Sequence, residues 1–498
     1  MNFKPLFSRS RTARLISLAL AALLLVSNTR AQTIPEPQQD QLLNGLRVLI
    51  WTRPGDPNVL LKLRIHSGGA FDTAGKSGLM ALLGDALFPD PTTREYFTEE
   101  LGGRLEVTTD LDAINISLSG RASEYERIIE ILGTALVTTP LSPENVKSMR
   151  DARIKLVRES SISPAMTADR AIASRLFREF PYGRPFSGTP DSLSRIDRGD
   201  LTIARERFLN PNNATLVVIG GIEKARAMRA LKQLLGNWRR SDVLVPPTFR
   251  LPDAPDTRTL IVDLPGTESA EVRLALRGLA RSDREFAAAT LMTIIARDRW
   301  QQSMPALDTL PFFVRHDSHV LPGSFVMGAS VNTALAADAI KAAQNTMRSL
   351  ITTPPSATEL ARARSEALAE LNKRLDQPAG VAELWLDGYT FKLASIVDQI
   401  KALSGATAVE VQGIAIRLFR DAPVATVVVG NASQLRAMLE STGQIEIAGQ
   451  QPAPTPSPAS TPTQAPPNRA TPTLLPTPTP APSPATPAAR PANPPHSP

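Results

Sequence analysis

Cysteine is absent from the 498 residues, histidine occurs four times, and aromatic side chains make up 5%. Without thiols there is no disulfide framework, no Cys-ligated zinc or iron–sulfur centre, no thiol nucleophile and no lipidated N-terminal Cys. Four His (His66, His316, His319 and His496) leave little for a His-rich metal centre. Acidic residues are missing at both ends. Residues 1–31 carry five basic side chains and no acid, and residues 451–498 carry two and no acid. The formal charge of +7 therefore belongs to the ends, and residues 32–450 sum to zero. A neutral body without a basic block gives no electrostatic footprint for nucleic acid. Long apolar runs are missing as well. Leu15–Val26 spans only about 18 Å as a helix, short of a bilayer core. No G-x-S-x-G, glycine-rich phosphate loop or Walker motif occurs.

The composition that remains, 42% apolar and 21% charged, is that of a globular chain with room for two to four domains. The N-terminus predicts a secretory signal over 1–31: a basic stretch, a short apolar run, then Thr29 and Ala31 at an A-x-A-like cleavage site. Export to the periplasm or the extracellular space follows, with no membrane span after cleavage. The C-terminus holds 18 of the 44 Pro within 451–498, which predicts an extended disordered tail, 448–498.

Between the ends the sequence repeats itself. Leu60–Asp72 resembles Glu271–Asp283, Val137–Pro140 recurs as Ile351–Pro354, and Ala214–Val218 recurs as Ala425–Val429. The separations stay between 211 and 214 positions. This predicts two homologous domains, 32–238 and 258–447, joined by a Pro-rich linker at 239–257. Each half opens with a short alternating strand (Val59–His66; Val272–Leu276), then a helix (Leu79–Leu87; Phe286–Arg297). Further strands follow within Arg104–Ser119. Long helices begin at Ser142-Pro143 and at the Ser356/Glu359 capping box. Last strands lie at Ala214–Ile219 and Ala425–Val429. Strands and helices without strict alternation predict an α+β fold.

An ordered set of motifs is similar to the insulinase/pitrilysin superfamily, which includes the mitochondrial processing peptidases. The set is Asn44-Gly45-Leu46-Arg47-Val48, His66-Ser67-Gly68-Gly69-Ala70, Ser77-Gly78-Leu79 with Leu87-Phe88, Leu101-Gly102-Gly103, and Pro181-Tyr182-Gly183-Arg184-Pro185 with Gly188. The resemblance covers about 44–447. It implies two homologous domains, each a mostly antiparallel sheet backed by helices, forming a clamshell around a peptide chamber.

The resemblance also implies an inverted zinc motif, H-x-x-E-H, in which two His one helical turn apart grip the metal and the Glu serves as base. Its positions fall here on Ala81, Gly84 and Asp85. A methyl group cannot ligate zinc, and glycine cannot move a proton. The family's third ligand, a Glu in a long helix, matches Glu159, either a metal remnant or a solvated helix-face charge. The family's substrate-holding Arg and Tyr fall near Met304 and on Phe312 or Phe313, which lack those groups. His316 and His319 form the one other His pair, a weak metal signal against an exposed loop before a strand. His66 is expected to be structural, and Tyr182 is open to a plain core role. Gly84→Ala is expected to stabilise the helix unless close packing forbids it.

The reading is a non-catalytic subunit that pairs with an active homologous zinc peptidase in a hetero-oligomer, with peptides as candidate ligands and no cofactor of its own. Two alternatives stand beside it: a zinc endopeptidase with displaced ligands, the one case in which zinc is expected, and a cell-envelope binding or scaffold protein.

Overall fold

The computed structural model describes residues 34–138, 141–160, 163–242 and 248–449. The expected signal segment, most of the expected Pro-rich tail, part of the expected linker and Thr139-Pro140 of the second repeat pair lie outside the described residues. The first half contains β1 (Gln38–Gln41), β2 (Arg47–Thr52), β3 (Asn58–Ile65), α1 (Leu79–Asp85), α2 (Thr92–Glu99), β4 (Arg104–Thr109) and β5 (Ile114–Arg121). It continues with α3 (Tyr125–Val137), α4 (Pro143–Ser160), α5 (Pro164–Phe177), α6 (Pro190–Ser194), α7 (Arg198–Phe208), β6 (Ala214–Gly220) and α8 (Lys224–Leu235). The second half contains β7 (Thr259–Asp263), β8 (Ser269–Arg277), α9 (Phe286–Ser303), β9 (Phe312–Asp317), β10 (Ser324–Asn332), α10 (Ala336–Thr352) and α11 (Ala357–Leu375). It ends with α12 (Pro378–Thr390), α13 (Ile396–Gly405), α14 (Ala408–Phe419), β11 (Ala425–Gly430), α15 (Ala432–Leu439) and β12 (Ile445–Ile447). No helix among the described residues is long and apolar enough to cross a membrane.

The α+β reading holds: there are two six-stranded, mostly antiparallel sheets. Their orders are β1-β2-β6-β3-β5-β4 and β12-β7-β11-β8-β10-β9. The repeated segments occupy equivalent places, β3 with β8 and β6 with β11, each pair in the centre of its sheet. The halves differ at one edge. There the first uses an N-terminal strand antiparallel to β2, and the second a C-terminal strand parallel to β7. Element ends also move. The first helix stops at Asp85 rather than Leu87, α9 runs on to Ser303, and Arg104–Ser119 divides into β4 and β5 around residues 110–113.

Each sheet is covered on both faces, and one cover is borrowed. Leu61, Leu63, Leu216 and Val218 enter the core under the first half's own helices. Val217 and Ile219, on the opposite face of β6, pack against Val381, Leu384 and Trp385 of α12 from the second half. The second sheet reciprocates: Val427 and Val429 of β11 pack against Ile172, Leu176 and Phe177 of α5 from the first half. This double coverage explains why ATLVVIG and ATVVVG are continuously apolar rather than alternating.

Charged residues on these inner faces follow the same exchange. On β3, Lys62 and Arg64 alternate with the core residues and face α12. Lys62 meets Glu383 at 2.5 Å, and Arg64 bonds Glu383, Asp387 (2.8 Å) and Asn115 (2.6 Å). On β8, Arg273 meets Asp169 of α5 at 2.7 Å. Lys62 and Arg273 lie 211 positions apart, and Asp169 and Glu383 lie 214 apart, so the duplication preserved the latch as well as the strands.

Candidate functional site

The helix that carries the motif positions is α1. Gly78 precedes it at φ +92°, where an added Cβ would meet Gly188 Cα and Leu193 Cδ2 at 2.8 Å. Only glycine satisfies both the left-handed backbone and the close approach. The Asp72 carboxylate accepts from the N–H groups of Gly78 (2.6 Å) and Met80 (2.8 Å), which anchors the helix start. Burial pushes the Asp72 carboxyl up to about 7, against the downward pull of those donors.

Six of the seven α1 residues are buried, Ala81 at 2% exposure and Gly84 among them. A helix apolar on nearly every face is a core element. A catalytic zinc needs at least three ligands and an open position for water. Ala81 and Gly84 supply neither ligand nor access, so these residues do not fit zinc.

Asp85 is engaged by another group. Arg153 of α4 forks onto its carboxylate, with Nε–Oδ2 at 2.5 Å and Nη2–Oδ1 at 2.7 Å. Glu159 does not join it. Its side chain is 62% exposed and lies 4.0 Å from Lys155, one turn back on the same helix. Glu159 lies six positions after Arg153, roughly 9 Å along α4. A carboxylate pair of Asp85 and Glu159 is therefore not what the fold brings together. Among the described residues, no three His, Asp or Glu side chains converge as a metal-binding group.

The same connection exists in the second half with its charges reversed. Arg297 of α9 forks onto Glu366 of α11, with Nη1–Oε1 at 2.6 Å and Nη2–Oε2 at 2.8 Å. Arg297 lies 212 positions after Asp85, and Glu366 lies 213 after Arg153. In both halves an Arg–carboxylate fork ties the helix after the opening strand to the long helix. Arg153 escaped the sequence reading, although the repeat offset that relates it to Glu366 was already visible.

Gly84 rests on the edge strand β4. A Cβ there would lie 2.8 Å from Thr109 Oγ1, with Val107 and Ile114 in ordinary contact. The expected stabilisation by Ala, about 1 kcal/mol of helix propensity, is offset by this approach. Gly84→Ala is expected to leave stability within about 0.5 kcal/mol of wild type as Thr109 rotates to another staggered well. Urea denaturation checks this.

The second-half positions are packing residues. Met304 is buried at the end of α9. Phe312 meets Trp300 edge-on at 5.8 Å. Phe313 lies between the guanidinium groups of Arg273 (5.0 Å) and Arg315 (4.6 Å) and covers Gly328. None offers a donor for a substrate carbonyl.

The His pair is divided between two jobs, and neither member lies in an exposed loop. His316 sits on β9, where its Nε2 accepts from the Leu279 N–H at 2.8 Å. His319 Nδ1 meets the buried Asp112 carboxylate at 2.9 Å. Asp112 also accepts from Tyr182 O–H (3.2 Å) and Val320 N–H (3.3 Å), and the Tyr182 hydroxyl accepts from Leu321 N–H (3.0 Å). Tyr182 is thus a seam residue between the halves. His66 is structural: its ring nitrogens meet Thr390 (3.1 Å) and Thr215 (2.9 Å), and burial holds its imidazole at about 4.

Burial lowers the His319 imidazole, but Asp112, helped by Asp317 and Asp110, raises it to a net value above its ordinary 6.5. A raised folded value means stability that is full below about 6.5 and lost as pH rises through the folded value. His319→Asn keeps a neutral donor toward Asp112. The stability difference between wild type and this variant is therefore expected to shrink from pH 6 to pH 9 (about one charged hydrogen bond at the acid end). Denaturation curves across that range measure it.

Comparison with known proteins adds the following. Residues 195–367 match the Peptidase M16 inactive domain, a stretch that ends one residue past Glu366. Subunit 1 of the mitochondrial cytochrome b-c1 complex of Bos taurus is 20% identical over 197 residues, 39% of this chain and 41% of that protein. An uncharacterized zinc protease of Streptomyces coelicolor is 22% identical over 292 residues, 54% of this chain and 59% of that one. The chain thus spans about half the length of the curated relatives it matches. A protease from Helicobacter pylori superposes with TM-score 0.74 at 17% identity, covering 79% of this chain and 99% of that chain. A peptidase M16 inactive domain from Pseudomonas fluorescens gives 0.71 at 16% identity, with 80% and 98% covered. The first half of the periplasmic protease PqqL from Escherichia coli gives 0.64 at 17%, with 81% and 93% covered.

Proposed function

The chain is a member of the insulinase/pitrilysin family, and from that premise we propose that it is the non-catalytic partner of an active, zinc-bearing homologue. The observation that carries this reading is the Arg153–Asp85 fork. At a motif position that gives the family a metal ligand, this chain builds the same kind of structural ion pair that its second half builds with Arg297 and Glu366. The retained scaffold supplies wall area and docking surface, while the chemistry belongs to the partner. The naming of one relative as a subunit of the cytochrome b-c1 complex supports a role inside an assembly. The description of PqqL as periplasmic supports export, in agreement with the N-terminal signal-like segment.

The test is metal analysis and peptide hydrolysis on the purified chain, repeated on any homologous chain that co-purifies. The expected result is no stoichiometric zinc and no chelator-sensitive cleavage alone, with both present in a hetero-oligomer. A chain that elutes only as a monomer would remove the pairing. Zinc with turnover in isolation would replace it with the displaced-ligand peptidase.

A further inference from the structure

The second half forms an open-mouthed cavity of about 480 Å³ between α9, α11, α12 and α13. That volume lies in the range of small-molecule sites. Its walls are largely apolar, formed by Phe286, Ile294, Leu371, Leu384 and Leu403. Twelve polar or charged residues share the lining, among them Arg281, His316 and Lys392, with Arg284 and Arg374 as further cations.

Arg281 is half-buried, with its guanidinium 4.0 Å above the Phe286 ring. No carboxylate among the described residues forms an ion pair with it. Asp387 acts on it only through space, and its oxygens are taken by Arg64 and Arg374. His316 also lines the cavity. Its Nε2 already accepts the Leu279 N–H, so the neutral ring carries its proton on Nδ1, which is buried and without a partner. Lys392 stands exposed at the mouth, just beyond the end of α12, at φ +55°. The Leu393 N–H closes onto the Gly388 carbonyl there, the kind of helix end at which glycine is the usual residue. The acids nearby are paired or at the rim: Asp283 is held by Arg417, and Glu370 and Asp398 are exposed.

A largely apolar chamber with a cation that no carboxylate pairs with and a second cation at its mouth has the chemistry of an acid-head receptor. We propose that this cavity binds a small amphipathic carboxylate, an acid group on an aliphatic or aromatic body of about ten to fifteen heavy atoms. The carboxylate pairs with Arg281 and Lys392, while the body lies against Leu371, Leu384 and Leu403. A free alkanoic acid and the C-terminal end of an apolar peptide share this chemistry. The proposal stands apart from the pairing described above, and a strictly monomeric chain would leave it intact.

Calorimetric titration of the full chain tests it. The probes are decanoate, decanol and decylamine, together with N-acetyl-Leu-Phe carrying a free or an amidated C-terminus. Decanoate is expected to bind at least about tenfold more tightly than decanol or decylamine, because only the acid meets the Arg fork. Preference for the free over the amidated peptide assigns the source to peptide ends, and binding of decanoate alone assigns it to alkanoic acids. Arg281→Met is expected to weaken binding about tenfold or more. Lys392→Gly is expected to weaken it severalfold while leaving the melting temperature unchanged or higher, since glycine relieves the left-handed backbone. This second variant keeps the test decisive if Arg281→Met fails to fold. Equal affinity for decanol and decanoate, wild-type affinity in Lys392→Gly, or no heat from any carboxylate at millimolar concentration would overturn the proposal.

Discussion

Arg64→Met is expected to destabilise the folded chain by about 3 kcal/mol, the scale for breaking a buried ion-pair network by removing one partner. Arg64 is 6% exposed, and its guanidinium serves Glu383, Asp387 and Asn115 at once. Met keeps the apolar stem but gives the two carboxylates no replacement. Lys62 and Arg374 still neutralise them in part, which keeps the loss from being larger. Arg273→Met, at the repeat counterpart of the neighbouring Lys62, is expected to lose a similar amount, because Arg273 is 2% exposed and holds Asp169 and Glu271. Both substitutions loosen the borrowed helices rather than either half's own core. Urea denaturation followed by tryptophan fluorescence is expected to show a new early transition, reported by Trp51 and Trp385, which meet edge-on at 6.2 Å across the seam. Losses under about 0.5 kcal/mol in both variants would mean that apolar packing alone joins the halves.

The second large effect concerns the motif helix. Asp85→Ala and Arg153→Ala are each expected to destabilise by about 2 kcal/mol, the scale of a charge-assisted, bidentate hydrogen bond whose surviving partner stays partly buried. Arg153 is the deeper member, at 14% side-chain exposure against 34% for Asp85, so Asp85→Ala strands the less solvated charge. The second half shows that the fold accepts the opposite polarity at the equivalent site. Asp85→Arg combined with Arg153→Glu is therefore expected to recover at least half of the single-variant loss, as a double-mutant cycle would measure. An increase in stability on Asp85→Ala would instead mark Asp85 as a strained remnant of a functional site.

Much of this molecule is legible in the chain. Two of the three repeat pairs place equivalent strands at the centres of equivalent sheets, because a duplicated hydrophobic pattern buries the same side chains twice. The side chains at 81 and 84 are too small to ligate a metal in any fold. Other readings needed the third dimension. Glu159 matches a ligand by spacing, but its helix turns it to solvent and presents Arg153 to Asp85. His316 and His319 look like a pair in sequence, but β9 ends between them, and one serves its own sheet while the other crosses to Asp112.

Composition and pattern alone determined the neutral body, the duplication, the α+β class and the lack of a metal-ligating side chain at positions 81 and 84. These are properties of which atoms are present and at what period they recur. The tertiary structure decided that each half lends a helix to the other's sheet, that Asp85 is taken by an arginine, and that Arg281, without an ion-pair partner among the described residues, lines a largely apolar cleft. Those depend on contacts between residues tens to hundreds of positions apart, whose geometry no local period encodes.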